Sequence, residues 1–373
     1  MELSRTFLHG ENCKGGSRML NQEEFFELVK REIKSHLPYE YFDAKVTISE
    51  IPAPYGEIKH SISVSQGEKT QEMMLAALID LNPFYRSYQE FPEELFMIME
   101  TIAEQIQYAN EEARKMPLEE NQWKSYEWVK EHLYTRLCDR SRKEYLEAYV
   151  HECAADYALT YMVEISGDED FSKGFSVTPT MLKIWDVTPE QLRMDAAQNQ
   201  NPKNRPVLFK LDEYIEHSLG MTDQPPRNYL EFNAAIVPFE KEANHQGIAL
   251  YGLTNESKMF GAAMIMRQEV LEQVADYLGT DFYVLPSSVH ETLLLPADGS
   301  ITARELQNNV IEINETISPE DRLSDQVAYY DREKKQLENA VTREERLHLA
   351  RQKAPEGEKL LEFRQKKEKG PSL

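Results

Sequence analysis

The sequence predicts an α+β protein, and three observations carry that reading. Segments that alternate with period two occur in adjacent pairs joined by turn formers, which is the signature of antiparallel hairpins. Amphipathic segments with N-cap residues sit between those pairs, not after every strand. The best-patterned block, residues 247–296, orders its elements ββαββ, which implies an antiparallel sheet with a helix on one face.

Taken in order, residues 1–20 are polar and read as a disordered lead-in without an apolar signal core. Asn21 and Glu24 form a capping-box signature ahead of "EEFFELVKREIKSHL", which places Phe25, Phe26, Val29 and Ile33 on one helical face before Pro38. "AKVTISEI" and "IKHSISV" alternate with period two around "PAPYG", a hairpin. A helix is expected within "KTQEMMLAALIDLN", and another from Pro92 carrying Leu95, Ile98, Met99, Ile102 and Ile106. Residues 21–115 therefore read as an αββαα unit. Residues 116–150, with Trp123, Trp128 and Leu133, read as connecting helices.

Residues 151–315 form the expected larger antiparallel domain. "DYALTYMVEIS" and "KGFSVT" make a hairpin across "GDED", and Thr188, Pro189 and Gln191 cap the helix "PEQLRMDAAQ". "NQNPKNRPVLF" reads as a polar loop, and residues 220–246 as irregular. "GIALYGLT" and "FGAAMIM" read as two strands around "NESK". "QEVLEQVADYL" is a helix closed by Gly279, and "DFYVLP" with "ETLLLP" is a further hairpin with Leu285 and Leu294 in the core. "TARELQNNVIEI" and "SPEDRLSDQVAYYDREKKQLENA" are expected as capped helices. Residues 316–373 then complete a C-terminal helical extension with a charged tail. From Thr342 onward nine Lys/Arg stand against six Asp/Glu, with few apolar side chains to bury, so this tail is expected to be dispensable for folding.

Composition narrows the function classes. The 373 residues carry a net charge of −23, which repels nucleic acid and anionic membranes over most of the surface. No run approaches the apolar length of a membrane span. Three scattered cysteines, Cys13, Cys138 and Cys153, suit a reducing cytoplasm better than a disulfide framework or zinc knuckle. A cytoplasmic protein with a protein partner, and no nucleic-acid or membrane partner, is expected.

The stretches "YGLTNESKMFGAAMIM", "DFYVLPSSVHETLLLP", "VTPEQLRMDAAQN" and "SPEDRLSDQVAYYD" resemble a domain-of-unknown-function family of gut Firmicutes, chiefly clostridia, often encoded in mobile or accessory gene clusters. The resemblance runs from about residue 21 to 340 and is most specific over 248–332. It departs in the N-terminal third, where "PAPYG" replaces a Lys-Asn-Asn-Gly-like turn and "LAALIDLN" a Pro-Thr-Ile-Tyr-Leu-Asn-like stretch. It implies a shared fold and a bacterial source, and it supplies no active site.

The candidate chemistry centres on Ser287, Ser288, His290 and Glu291. A nucleophile, a base and an orienting carboxylate are all present as residue types. In an extended strand, however, Ser288 and His290 share a face and Glu291 points to the other. There is no Gly-x-Ser-x-Gly elbow around the serines. A structural bend, with serine hydroxyls satisfying turn amides, is the expectation. "HECAAD" lacks the second histidine of a zinc-protease helix, "SGDED" lacks the spaced ligands of a calcium loop, and no glycine-rich phosphate loop is present. No cofactor or metal is therefore assigned. The expected function is a non-enzymatic accessory or protein-interaction protein, encoded by a mobile element. The alternatives are a hydrolase using the 287–291 turn and, more weakly, an acidic nucleic-acid mimic.

Overall fold

In the first 65 residues the capping box forms as expected: Asn21 accepts from the Glu24 amide at 2.9 Å, and Glu24 accepts from the Asn21 amide. The computed structural model describes residues 18–65, 78–115, 122–167, 172–230 and 249–353. Two units divide the chain, one within Met1–Ile51 and Ile58–Pro117, the other within Pro52–Glu57 and Leu118–Leu373. Three antiparallel sheets are found among the described residues, and the fold class is α+β.

The first unit runs α1 (Gln22–Glu32), β1 (Lys45–Pro52), β2 (Ile58–Ser65), β3 (Ile79–Asp80), α2 (Asn82–Glu90) and α3 (Leu95–Lys115), with its sheet ordered β1-β2-β3. Its core gathers Phe25, Val29 and Ile33 against Ile62, Ile102 and Ile106, all essentially buried. The helix expected over 69–82 is corrected where it can be read. Residues 69–77 lie outside the described residues, Ile79–Asp80 pairs with β2, and a helix starts only at Asn82. Pro83 explains the start, since a first-turn proline has no amide that the helix would need. Pro92 opens a short 3-10 turn ahead of α3.

The second unit runs α4 (Tyr126–Glu131), β4 (Leu133–Asp139), α5 (Lys143–Ala148), β5 (His151–Ala154), β6 (Tyr157–Gly167), β7 (Ser172–Ser176), α6 (Pro179–Trp185), α7 (Pro189–Gln198), β8 (Pro206–Lys210) and α8 (Leu211–Ser218). After residues 231–248, which are not described, come β9 (Tyr251–Asn255), a 3-10 segment (Gly261–Met266), α9 (Gln268–Leu278), β10 (Phe282–Pro286), β11 (Thr292–Pro296), α10 (Ala303–Asn314), β12 (Ala328–Asp331), β13 (Gln336–Asn339) and α11 (Ala340–Lys353). One sheet has β6 paired with β4, β5 and β7. The other is ordered β13-β12-β10-β11-β9-β8. Both the β6–β7 and β10–β11 hairpins form where the alternation placed them. Among the described residues no helix is long and apolar enough to cross a membrane.

Four expectations are overturned here, each by tertiary burial. Leu133 opens strand β4 instead of continuing a connecting helix, because Leu133 and Leu137 pair with Val163 and Leu159 on the core face. Within the supposed polar loop, Leu208 and Phe209 are buried in β8. "FGAAMIM" is no strand. Ala262, Ala263, Met264 and Ile265 are all buried in succession, a pattern that has neither period two nor 3.6 and fits a 3-10 segment enclosed on every side. Residues 318–339 are not a helix either. "AYYD" pairs with β10, setting Phe282 against Tyr330 and Tyr283 against Tyr329, and aromatic cross-strand contacts outweigh the helix-start signal.

The six-stranded sheet carries helices on both faces, one face more than the alternation suggested. Phe282, Val284 and Leu294 meet α9 on one side. Tyr283, Leu295 and Tyr329 meet α10 and the start of α11 on the other. The start of α11 is thus docked, contrary to the expectation of a dispensable segment after Thr342. Arg343 lies 3.7 Å over the Tyr329 ring, and Glu344 accepts from the Tyr283 hydroxyl at 3.0 Å and from the Ala303 amide at 2.9 Å.

Leu294 is fully buried and Leu285 only partly. Leu294→Ala should cost about 2–5 kcal/mol in chemical denaturation, and Leu285→Ala clearly less. A chain ending at Ala340 should melt below one ending at Lys353, and Glu344→Ala in the full chain should cost about 1–3 kcal/mol by orphaning two donors. Equal melting of the two shortened chains would show that α11 contributes nothing to the fold.

Candidate functional site

Pro286 and Thr292 are the last cross-strand pair of the β10–β11 ladder, so residues 287–291 turn the chain between them. These residues are not extended, and the strand alternation that separated Glu291 from His290 therefore does not govern them. The turn closes on itself through three bonds. The Ser288 amide donates to the Glu291 carbonyl at 3.1 Å, the His290 amide donates to Ser288 Oγ at 3.0 Å, and the Ser287 hydroxyl reaches Glu291 Oε1 at 3.5 Å. Ser288 Oγ is thereby turned toward the His290 main chain, a serine turn of the kind that competes with regular structure.

Three other segments clamp the turn. The Val289 amide donates to the Asp321 carbonyl at 2.8 Å, and the Thr254 hydroxyl donates to the His290 carbonyl at 2.8 Å. The Phe260 amide donates to His290 Nδ1 at 3.2 Å. Nδ1 is then the acceptor nitrogen of the ring, and the proton belongs on Nε2. Nε2 faces Asp321 Oδ1 at 3.4 Å. A carboxylate does stand beside the imidazole, but it is Asp321 and not Glu291.

The Phe260 side of the clamp is built by backbone geometry. Phe260 has φ +58, in the left-handed region that side chains rarely adopt. Gly261 follows, where a Cβ would sit 2.2 Å from Thr254 Oγ1, 2.6 Å from the Asn255 amide and 2.7 Å from the His290 carbonyl. Asn255, itself buried, ties the preceding turn by donating to the Lys203 and Met259 carbonyls at 2.8 Å each. His290 stacks on Phe260 (5.5 Å), which stacks on Tyr134 (5.8 Å). Arg136 lies 4.8 Å over Phe260, and Lys203 lies 4.6 Å over Tyr134 while pairing with Glu164. The result is an aromatic ladder with two cations against it, each such contact worth about 0.5–2 kcal/mol.

Sequence reasoning found the serines, His290 and Glu291, and the structure brings all four into one turn. It missed Asp321, Phe260, Gly261 and Asn255. Of these, only the Phe-Gly pair after a polar turn carried a local signal. The other motifs separate. His151 begins strand β5, and Glu152 accepts from the Tyr161 hydroxyl at 3.0 Å, so "HECAAD" is not a metal-binding helix. "GDED" lies largely outside the described residues. Among the described residues no three His, Cys, Asp or Glu side chains are grouped to hold a metal ion. Burial pushes the Cys138 thiol up to about 12, which keeps it from being a thiolate nucleophile near neutral pH.

Comparison with known proteins finds one family model, described as a family of unknown function (DUF5688), that matches residues 22–332. No curated protein matches the chain. No solved structure matches it.

The clamp sets the order of substitution costs. His290→Gln retains an acceptor for the Phe260 amide and should be tolerated, whereas His290→Leu should cost about 1–3 kcal/mol. Ser288→Ala should cost about 1 kcal/mol. Gly261→Ala should be destabilising by about 1–3 kcal/mol or more, because two of the three contacts are main-chain atoms. Thermal melts of the four variants check this, and an unaffected Gly261→Ala would contradict the geometry.

Proposed function

The chain belongs to this family of unknown function, and we propose that it is a non-enzymatic accessory protein that acts by binding a partner protein. The observation that carries the reading is that the turn consumes its own reactive groups. His290 Nδ1, the one nitrogen with a lone pair, accepts from the Phe260 amide, while Ser288 Oγ accepts from the His290 amide. A general base must take the nucleophile's proton on a free ring nitrogen. The acidic chain, at −23, disfavours nucleic acid as the partner. In the first unit Tyr39 is 88% and Phe42 67% exposed, with rings stacked at 5.9 Å. Aromatic side chains left in water are enriched at protein interfaces. A clostridial source and an accessory-gene setting belong to the same proposal and rest on the resemblance of residues 251–266 and 281–296.

Hydrolysis at the turn is the second reading, favoured by the Asp321 carboxylate 3.4 Å from Nε2. It requires the ring to release the Phe260 amide and present an unprotonated nitrogen to a serine.

Ester, amide and phosphoester probes decide between the two. The expected result is no turnover above the uncatalysed rate. Turnover abolished by both Ser288→Ala and His290→Gln, with melting unchanged, would establish the hydrolase instead. For the interaction itself, cross-linking in the source cells should yield protein adducts that the Tyr39→Ser, Phe42→Ser double variant loses. Adducts unchanged in that variant would remove this surface from the proposal.

A further inference from the structure

A cleft of about 850 Å³ opens in the second unit where the turn after β4, the loop before β12 and the start of α11 come together. Its charged lining is unusual in how it is paired. Three carboxylates face it, and each is held by a neutral donor. Asp139 accepts from the Ser324 hydroxyl and the Ser141 amide, Asp156 from the Asn339 side-chain amide at 2.6 Å, and Asp325 from that of Asn314 at 2.7 Å.

The arginines are left over. Among the described residues, Arg140, Arg142 and Arg322 form no ion pair with any carboxylate. Arg140 donates to the Ala155 carbonyl at 3.3 Å, and Arg322 to the Asn314 carbonyl. The Nε atoms of Arg142 and Arg322 are buried without a partner. A guanidinium has five N–H donors in a planar fork that matches an oxyanion. In a chain with 65 acidic and 42 basic side chains, carboxylate partners are abundant, so three arginines gathered around one cleft without them are arranged for something else.

We propose that this cleft binds a small hydrophilic oxyanion, a phosphate monoester or a polycarboxylate, held by Arg140, Arg142 and Arg322. The volume falls within the range of ligand sites, roughly 300–1,000 Å³. Among the described residues no aromatic side chain lines it, so a stacked base or other flat ring finds no platform among them. Gln307, Gln326 and Asn339, already joined in one amide network, provide polar wall groups for hydroxyls or a second anionic arm. The chain's overall negative charge does not forbid this. At physiological salt the Debye length is about 8 Å, which screens carboxylates beyond the cleft, and within it Arg140, Arg142, Arg304 and Arg322 outnumber Asp139, Asp156 and Asp325.

The test is calorimetric titration of the full chain with sodium phosphate, glycerol 3-phosphate and citrate, against sodium chloride at matched ionic strength. One saturable site for at least one of the three anions is expected. Preference for the two phosphates identifies a tetrahedral ligand, and preference for citrate a carboxylate ligand. Arg142→Gln and Arg322→Gln should each weaken binding about tenfold or more, because charge-assisted bidentate bonds are lost. Arg304→Gln, in the same cleft but paired at the surface with Glu345 at 2.9 Å, should change it less than about twofold. Melting curves accompany each variant. If one of the half-buried arginine variants unfolds, Arg140→Gln at the exposed rim provides the same reading. Absence of saturable binding by all three anions at about 10 mM, or wild-type binding by the folded arginine variants, overturns the proposal.

Discussion

The ladder between Phe282–Pro286 and Thr292–Pro296 is where two hydrophobic cores of the second unit share a wall. Alternate residues of the same two strands serve opposite sides: Phe282, Val284 and Leu294 pack toward α9, and Tyr283 and Leu295 toward α10 and α11. A one-residue slip in register would exchange every one of these side chains between cores of different shape. The strand register, more than any single contact, is therefore what the surrounding helices are fitted to. It also places the 287–291 turn at one end of the ladder, within reach of Thr254, Phe260 and Asp321.

That turn shows how polar groups are spent in this protein. The residue types of a catalytic triad are present, yet each is engaged in closing the turn or holding neighbouring main chain. Buried amides need acceptors, and failing to supply one costs about 1–3 kcal/mol. An imidazole nitrogen and a serine hydroxyl meet that demand as well as any side chain can. The cleft around Arg142 follows the opposite pattern. There the carboxylates accept from neutral donors, and Arg140, Arg142 and Arg322 have no acid partner among the described residues. Arginines that line a cavity without acid partners suit an anionic ligand, whereas donors and acceptors closed among themselves indicate architecture.

Helix starts and hairpins with one solvated face were legible in the sequence. Asn21, Thr188 and Thr302 cap the helices that follow them, because an N-cap satisfies amides within its own first turn. The β1–β2 alternation and the α9 face with its Gly279 cap likewise depend on neighbours close in sequence. Segments buried on all sides were misread, since they carry no polar face to give a period. "GAAMIM" is the clearest case, and "AYYD" was claimed for a strand only by its pairing with Phe282 and Tyr283.

The sequence by itself determined the α+β class, the caps, the hairpin that ends in Pro286 and the clustering of Ser287, Ser288, His290 and Glu291, because all of these arise from residues a few positions apart. The tertiary structure alone decided what those groups do. Asp321 and Phe260 reach His290 from 31 and 30 positions away, and Arg142 and Arg322 meet at one cleft from 180 positions apart. Such encounters are set by how sheets stack and loops return, and no local pattern encodes which distant side chain will supply the partner or leave it missing.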